Sequence, residues 1–323
     1  MKKKADNSFM AQKNDYTIIG IDGGGTRTRG ILYKGGRILS QSNSGTTRIG
    51  AVGVAESCER LLNVIIELCS KAEIESEELD AVVIGLAGVW LEEEKLRSTQ
   101  LLKTLARQQK ITLNDLLIIS DAELALEGAF ESDNGVVMIV GTGSIALGRF
   151  NKKLSRCGGW GIELDDEGSG AWIGREGLTA IVRSIDGRGN PTKLASKLVE
   201  LVPTIDLDQP RTIVKSYGEG GFVYQMLTPA VMQCAEEGDQ VCKEIIERSA
   251  FHLMELLSAI AKDAKVKKMP VALMGGIIDA DTILAKMLYE RIDKNSGLQR
   301  VEPKGNALHG AVSLGFRLIK EMQ

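Results

Sequence analysis

Residues 16–33 read YTIIGIDGGGTRTRGILY, in which two β-compatible runs flank a cluster of glycines. The first run is apolar and ends in Asp22, and Gly23, Gly24, Gly25 and Thr26 follow it. The second run, 27–33, reaches the polar turn 34–37. This order predicts a buried strand, a tight glycine turn and a second strand.

The glycine turn is a candidate phosphate loop, since glycine lets backbone N–H groups approach an anion closely. A Rossmann loop requires a helix after its glycines, whereas the segment 27–33 has the pattern of a strand. A P-loop requires Lys followed by Ser or Thr after its last glycine, and this pair is absent because Thr26 follows Gly25 directly. A β-hairpin phosphate loop remains, and its alternative is a plain tight hairpin with an acid beside it.

The same pattern begins again at residue 135. The apolar run GVVMIV (135–140) precedes Gly141, Thr142, Gly143 and Ser144, and then a second strand pattern (145–150) and a polar turn (151–153) follow. Between the two copies lie helical patterns at 53–71 and 92–109 and strand patterns at 80–88 and 116–120. The sequence therefore predicts an α/β fold with an internal duplication.

Two further features indicate a ligand site. Asp121 follows the strand pattern 116–120, and ligands of α/β sheets bind beyond such strand ends. Its alternative role is N-cap of a helix beginning near Ala122, and the two roles are compatible. Residues 157–170 read CGGWGIELDDEGSG, where a Trp between glycines is suited to stack on a sugar and the acids to accept bonds from its hydroxyls. The alternative is an irregular loop with a buried Trp anchor.

Composition narrows the class of protein. The chain has 323 residues and a formal net charge of −3, so no global positive field favours nucleic acid or anionic lipid. No apolar run reaches the roughly 18 residues of a membrane span, and residues 1–15 lack a secretory pattern and are predicted to be a disordered tail. The five cysteines form no CxxC, which favours reduced thiols, no metal cluster and a cytoplasmic location.

The chain resembles the N-acetylglucosamine kinase branch of the BadF/BadG/BcrA/BcrD ATPase family, within the actin-like superfamily of sugar kinases and chaperone ATPases. The matching segments are IDGGGTRT (21–28), SDAELA (120–125), GTGS (141–144), CGGWG (157–161) and DEGSGAWIGREGL (166–178). Weaker matches are PAVMQCAEEGD (229–239), ALMGGI (272–277) and LHGAVSLG (308–315). They extend in the family's order over almost the whole chain.

The resemblance implies two ribonuclease H-like, actin-like domains. Each would have a mixed five-stranded sheet flanked by helices, with a cleft between the domains. The first would span 16–133, with a helix at 311–323 packing back on it, and the second would span 134–310. The implied activity is ATP-dependent phosphorylation of the 6-hydroxyl of an amino sugar, most readily N-acetylglucosamine, with N-acetylmuramic acid and glucosamine as alternatives. A homodimer is compatible with the resemblance, and no sequence feature selects an interface.

The resemblance also implies roles for individual residues. Asp121 would be the general base and Asp22 would hold Mg²⁺ through water. ATP would be bound by two phosphate loops and by a glycine pair against the adenosine: Gly23, Gly24, Gly25, Thr26; Gly141, Thr142, Gly143, Ser144; and Gly275, Gly276. The sugar would contact Gly159, Trp160, Gly161 and Asp166.

Two positions depart from the branch. Asp165 stands where it usually has Gly before Asp-Glu-Gly-Ser, and Asp tolerates the positive φ that such a turn would need. Arg48 falls about where the family tends to carry Asn. We expect Arg48 to face the sugar, where a guanidinium could pair with the lactyl carboxylate of N-acetylmuramic acid. The alternative is a solvent-facing loop arginine.

Two other functions compete within the superfamily. One is an ATPase activator of 2-hydroxyacyl-CoA dehydratases or benzoyl-CoA reductases, which holds an iron–sulfur cluster through cysteines, yet Cys157 has no suitable partner cysteine nearby in the sequence. The other is a non-catalytic sugar sensor, but only about 15 residues precede the first strand, too few for a helix-turn-helix domain.

Overall fold

The computed structural model describes residues 15–264 and 266–321, so the predicted tail at 1–15 lies outside the described residues except for Asp15. The chain divides into two compact units. The first consists of the described parts of Met1–Asn134 and Glu302–Gln323, and the second is Gly135–Val301. Residues 302–310 therefore lie with the first unit, whereas the sequence analysis assigned them to the second.

The strands are β1 (Ile18–Gly23), β2 (Arg27–Lys34), β3 (Arg37–Gly45), β4 (Ala81–Leu86), β5 (Leu116–Ser120), β6 (Gly135–Val140), β7 (Ser144–Phe150), β8 (Lys153–Gly158), β9 (Met269–Met274) and β10 (Leu298–Arg300). The helices are α1 (Ile49–Ala72), α2 (Glu92–Gln108), α3 (Asp121–Phe130), α4 (Gly170–Ile185), α5 (Leu194–Leu201), α6 (Arg211–Gly218), α7 (Thr228–Glu236), α8 (Gln240–Ala264), α9 (Gly276–Asp279), α10 (Ile283–Lys294) and α11 (Ala307–Glu321). Two 3₁₀ turns, Ser76–Glu78 and Tyr224–Leu227, complete the described secondary structure.

The two sheets have the same topology. The first has the order β3-β2-β1-β4-β5 and the second the order β10-β9-β6-β7-β8, which is the same sequence of strands read from the other edge. In each, three antiparallel strands form a meander and two parallel strands follow. The predicted duplication and the mixed five-stranded sheets are confirmed.

The first unit buries both faces of its sheet. On one face, α1 and α2 pack over β1 and β4 through a large apolar cluster that includes Leu61, Ile65 and Ile84. On the other face, α11 packs on β1, β2 and β4, and α3 packs beside it. Because β1 and β4 are buried on both faces, their sequences are continuous apolar runs and do not alternate between apolar and polar residues.

The second unit has one extended core. Its cluster joins β6 and β9 to α4, α7, α8 and α10, with Val136, Ile173 and Leu253 among its fully buried members. Within the described residues of both units, no helix has the length and apolar character needed to cross a bilayer.

One helix and two edge strands differ from the sequence-based prediction. The helix predicted at 53–71 begins at Ile49, four residues earlier, with a local break at Gly53, whose φ is 80°. The third strand of each meander, β3 and β8, was not predicted. Both are edge strands with few buried side chains, so they lack the alternation of apolar residues that identifies a strand.

Candidate functional site

The first glycine turn is closed against the segment that leads into α1. The Thr46 hydroxyl donates to the carbonyls of Gly24 and Gly25, at 3.2 and 3.0 Å. A Cβ added at Gly23 would lie 2.6 Å from Thr47 Oγ1 and 2.9 Å from the Gly85 carbonyl. Close packing therefore requires glycine at position 23, and these contacts hold the turn in place within the first unit.

Asp22 has a charged partner that the sequence analysis missed. The hairpin register places Arg29 opposite Asp22, and Arg29 Nη2 lies 2.6 Å from Asp22 Oδ2. The Asp22 side chain is mostly buried, whereas that of Arg29 is more exposed. Counting the hairpin residues outward from the glycine turn would have identified this pair, because antiparallel partners share one face of the sheet.

Asp121 is the first residue of α3 and lies at the carboxyl end of β5. Its predicted alternative role was wrong, because the N-cap is Ser120, whose hydroxyl accepts the Glu123 N–H in a capping box. The Asp121 carboxylate accepts a 3.0 Å bond from the adjacent Ala122 N–H, and a bond from its own backbone N–H also favours the ionised form. Desolvation, followed by the negative charge of Asp22, raises the pKa of Asp121 from 3.8 to about 6.

Arg48 is brought to the same part of the first unit. It precedes α1 as an exposed residue, and its Cγ would lie 3.7 Å from a Cβ added at Gly88, in the loop after β4. Its positive charge favours the ionised form of Asp121 and lowers the pKa of that carboxyl, against the larger effects of burial and Asp22. Asp22, Arg48 and Asp121, which are far apart in sequence, are thus electrostatic neighbours.

The second glycine turn is held by the start of α4. The backbone N–H groups of Gly170 and Ala171 donate to the carbonyls of Gly141 and Thr142, at 2.9 and 3.0 Å. Ser169 is the N-cap of α4 and accepts the Trp172 N–H. The segment GSGAW therefore folds as a cap and first helical turn that binds the 141–144 loop through its backbone.

Asp166 lies against this second loop. It is buried and has a φ of 53°, and the Ser144 N–H donates to its Oδ1 at 3.4 Å. A Cβ added at Gly143 would lie 2.8 Å from Asp166 Oδ2. The positive φ anticipated at Asp165 occurs at Asp166 instead, so Asp at 165 is not needed for a left-handed turn.

The predicted adenosine glycines adjoin the same loop. Gly275 follows β9 with a φ of 108°, and a Cβ there would lie 2.5 Å from the carbonyl of Val140, immediately before the loop. Gly276 begins the short helix α9. The second unit thus brings together the 141–144 loop, Asp166, the start of α4 and the Gly275–Gly276 turn.

Trp160 is exposed, with 65% of its surface accessible, so the alternative of a buried Trp anchor is wrong. The buried tryptophan is Trp172. The Arg156 guanidinium carbon lies 4.2 Å from the centroid of the Trp160 ring, and the Asp165 carboxylate accepts the backbone N–H of Trp160 at 3.3 Å. Sequence reasoning did not identify Arg156, which lies in β8 close to the end of that strand at Gly158.

The cysteines carry no sign of metal binding. Cys58, Cys69, Cys234 and Cys242 are buried and Cys157 is half-buried. Burial raises the pKa of Cys58 and Cys69 to about 11 and that of Cys242 to about 12, which disfavours the thiolates that bind soft metals. Among residues 15–264 and 266–321, no group of three or more His, Cys, Asp or Glu side chains is arranged to hold a metal ion.

The model of the BadF/BadG/BcrA/BcrD ATPase family matches residues 19–315. The chain belongs to this family. Among similar proteins, an N-acetylmuramic acid/N-acetylglucosamine kinase of Clostridium acetobutylicum is 30% identical over 300 residues, covering 91% of this chain and 96% of that protein. An N-acetyl-D-glucosamine kinase of Dictyostelium discoideum is 29% identical and covers 86% and 90%. A glucosamine kinase of Vibrio cholerae is 23% identical and covers 91% and 94%.

Solved structures support the fold assigned to this family member. A Chromobacterium violaceum protein proposed to be an N-acetylglucosamine kinase superposes with a TM-score of 0.72 at 23% identity, covering 93% of this chain and 99% of that chain. A ROK-family glucokinase from Streptomyces griseus superposes with a TM-score of 0.58 at 16% identity, with the same coverage. The predicted actin-like sugar-kinase fold is confirmed.

Proposed function

We propose that the chain is an ATP-dependent kinase that phosphorylates the 6-hydroxyl of an amino sugar, with N-acetylglucosamine as the first candidate. The observation that carries the proposal is the Asp121 carboxylate at the end of β5, with its pKa raised to about 6 beside Asp22. A carboxylate with this pKa can accept a hydroxyl proton at neutral pH. The amino-sugar specificity is taken from the relatives, which are named as kinases of such sugars.

Asp121 would act as general base in this reaction. Its carboxylate would accept the proton of the sugar 6-hydroxyl as the oxygen attacks the γ-phosphorus, and ADP would leave. Because Ser120 and Glu123 form the cap of α3, Asp121 is not required to close the helix. In phosphoryl transfer the protein mainly positions the reactants and stabilises charge. One correctly oriented carboxylate is therefore enough to serve as the base.

Asp22 fits the role of holding Mg²⁺ through water. Mg²⁺ prefers carboxylate oxygens and keeps most of its water, so a site needs few protein ligands. The negative charge of Asp22 raises the pKa of Asp121, and a cation bound beside the two carboxylates would reduce that effect. Bound Mg²⁺ would supply neutralisation of the phosphate charge.

Each unit would contribute backbone to ATP binding. In the first unit, Gly23 to Thr26 would donate N–H groups to the phosphates. In the second, Gly141 to Ser144 would do the same, and Gly275 and Gly276 would lie against the adenosine. The packing of these glycines supports the assignment, since side chains at 23, 143 and 275 would clash with the neighbouring backbone or with Asp166.

The proposed sugar contacts are Gly159, Trp160, Gly161, Asp166 and Arg48. Asp166 also stabilises the second loop, because it is buried there and accepts the Ser144 N–H. Arg48 is exposed and close enough to Asp121 to affect its pKa, which favours the hypothesis that it faces the acceptor. A lactyl carboxylate could then pair with it, and phosphorylation of N-acetylmuramic acid relative to N-acetylglucosamine should fall several-fold in Arg48→Asn. An unchanged ratio would refute this role.

The central experiment is an ATP-consumption screen over N-acetylglucosamine, N-acetylmuramic acid, glucosamine and glucose. Asp121→Asn should abolish sugar-dependent turnover while the affinity for ATP, measured by calorimetry, stays within a few-fold of the wild-type value. Asp115→Asn, before the start of β5, is the matched control and should keep full turnover. Sugar-dependent turnover surviving in Asp121→Asn would rule out Asp121 as the base. The absence of turnover with every amino sugar would rule out the proposed function.

A further inference from the structure

Trp160 is a large apolar side chain exposed to solvent on a turn rich in glycine. With 65% of its surface accessible, its indole gains little from burial, and Gly159 and Gly161 beside it both have positive φ. Such a turn has few side-chain contacts of its own to fix the indole in one orientation. Contacts that order the Trp160 side chain must therefore be made by residues outside these glycines.

Arg156 supplies the first such contact. Its guanidinium carbon lies 4.2 Å from the centroid of the Trp160 ring, and its Nη2 donates to the Gly159 carbonyl at 2.7 Å. The hydrogen bond fixes the guanidinium to the backbone next to Trp160, and the stacking covers one face of the indole. Any ligand that stacks on Trp160 must then use the opposite face.

Asp165 supplies the second. Its carboxylate accepts the backbone N–H of Trp160 at 3.3 Å, and its own backbone N–H donates to the Gly161 carbonyl at 2.7 Å, so Asp165 fixes the main chain that carries the indole. Its negative charge also stabilises the Arg156 guanidinium, which burial otherwise disfavours. Arg156, Trp160 and Asp165 are thus joined pairwise by a stack, a hydrogen bond and an electrostatic attraction.

We propose that Arg156 and Asp165 are positioning residues that clamp Trp160 and leave one indole face preorganised for the sugar ring. The proposal rests on the proposed function, because the ligand of that face is the acceptor sugar. It also gives a role to Asp165, the acid that stands where the branch usually has Gly. A clamp increases affinity by removing the ordering cost that a mobile side chain would incur on binding.

The kinetic test compares Arg156→Ala and Asp165→Ala with the wild-type enzyme. Each should raise the KM for the sugar by on the order of tenfold, with kcat and the KM for ATP within about twofold of wild type. Asp165→Asn keeps an acceptor for the Trp160 backbone N–H and should restore most of the sugar affinity that Asp165→Ala loses. Arg183→Ala, near the end of α4, is the matched arginine control and should leave the KM for the sugar unchanged.

A second readout is independent of turnover. Acrylamide quenching of the Trp160 emission, taken as the difference from the same protein carrying Trp160→Phe, should increase in Arg156→Ala and Asp165→Ala as the indole becomes free. Quenching equal to wild type in both variants would overturn the clamp even if no sugar is phosphorylated. Increased quenching with an unchanged KM for the sugar would overturn the role in sugar binding. These outcomes are distinct from failure of the proposed function, which is absence of turnover in the wild-type enzyme.

Discussion

At the scale of single residues, Asp121 illustrates the free-energy cost of burying a carboxylate beside another negative charge. Burial and the charge of Asp22 raise its pKa from 3.8 to about 6, so the folded state binds this proton more tightly than the unfolded state does. The contribution of Asp121 to stability is therefore fully present below pH 3.8 and is lost as the pH rises through about 6. Above that pH the ionised carboxylate destabilises the fold.

The corresponding prediction concerns Asp121→Asn. The amide is nearly isosteric, can still accept the Ala122 N–H and carries no charge, so at pH 8 it should increase the free energy of unfolding by on the order of 3 kcal/mol. The gain should shrink as the pH falls and vanish near pH 4. Urea unfolding at pH 8, 6 and 4 measures it. If the variant is less stable than wild type at pH 8, the ionised Asp121 carboxylate does not destabilise the folded state.

At the scale of elements, the contact between α3 and α11 depends on two glycines. A Cβ at Gly128 would lie 2.0 Å from the Asn306 carbonyl oxygen, and a Cβ at Gly310 would lie 2.4 Å from that of Leu124. In both cases the obstructing atom belongs to a backbone and cannot rotate away. The close approach also lets the Gly305 N–H donate to the Gly128 carbonyl at 2.8 Å.

Helix propensity and packing give opposite predictions for Gly128→Ala. Alanine in a helix interior is favoured over glycine by about 1 kcal/mol, whereas forcing the two backbones apart costs on the order of 3 kcal/mol. We therefore expect net destabilisation by about 2 kcal/mol, measured by chemical unfolding. Gly218→Ala, at the end of α6 with open space around its Cα, is the control and should change stability by less than about 0.5 kcal/mol. Equal effects of the two substitutions would contradict the packing argument.

At the scale of the whole molecule, the last helix of the chain belongs to the first unit although the second unit lies between them in sequence. α11 contributes Val312, Phe316 and Ile319 to an apolar cluster with Ile18 and Tyr33. The rings of Tyr33 and Phe316 are perpendicular, with centroids 5.7 Å apart. The stability of the first unit therefore depends on a segment more than 170 residues away from its other part.

Phe316→Ala should consequently destabilise one unit and not the other. Loss of this buried ring costs about 3 kcal/mol, and it should speed hydrogen exchange in β1, β2 and α11. Exchange in β6, β9 and α8 of the second unit should stay at wild-type rates. Mass spectrometry of exchanged peptides separates the two regions. Equal acceleration in both units would show that they unfold as one cooperative body.

The repeat of strand, glycine turn and strand could be predicted from the sequence because each part of it is local. A buried strand needs a run of apolar residues, and a tight turn needs glycine, so neighbouring residues alone identify both. The position of Asp121 at a strand end could be predicted for the same reason, since it is the first residue beyond an apolar run. Recognition of the family extended these local patterns to a two-sheet fold, which the topology confirms.

The remaining features depend on residues that meet only after folding. The strands β3 and β8 are held by hydrogen bonds to one neighbour at the edge of a sheet and bury little, so their sequences carry no apolar period. The Arg29–Asp22 pair follows from strand register, and the contact of Asp166 with Gly143 follows from the way α4 returns to the second loop. Local sequence determined the buried strands, the glycine turns and most helices of this protein. Tertiary structure alone decided the edge strands and the side chains that surround each charge, because these depend on neighbours brought together by the path of the whole chain.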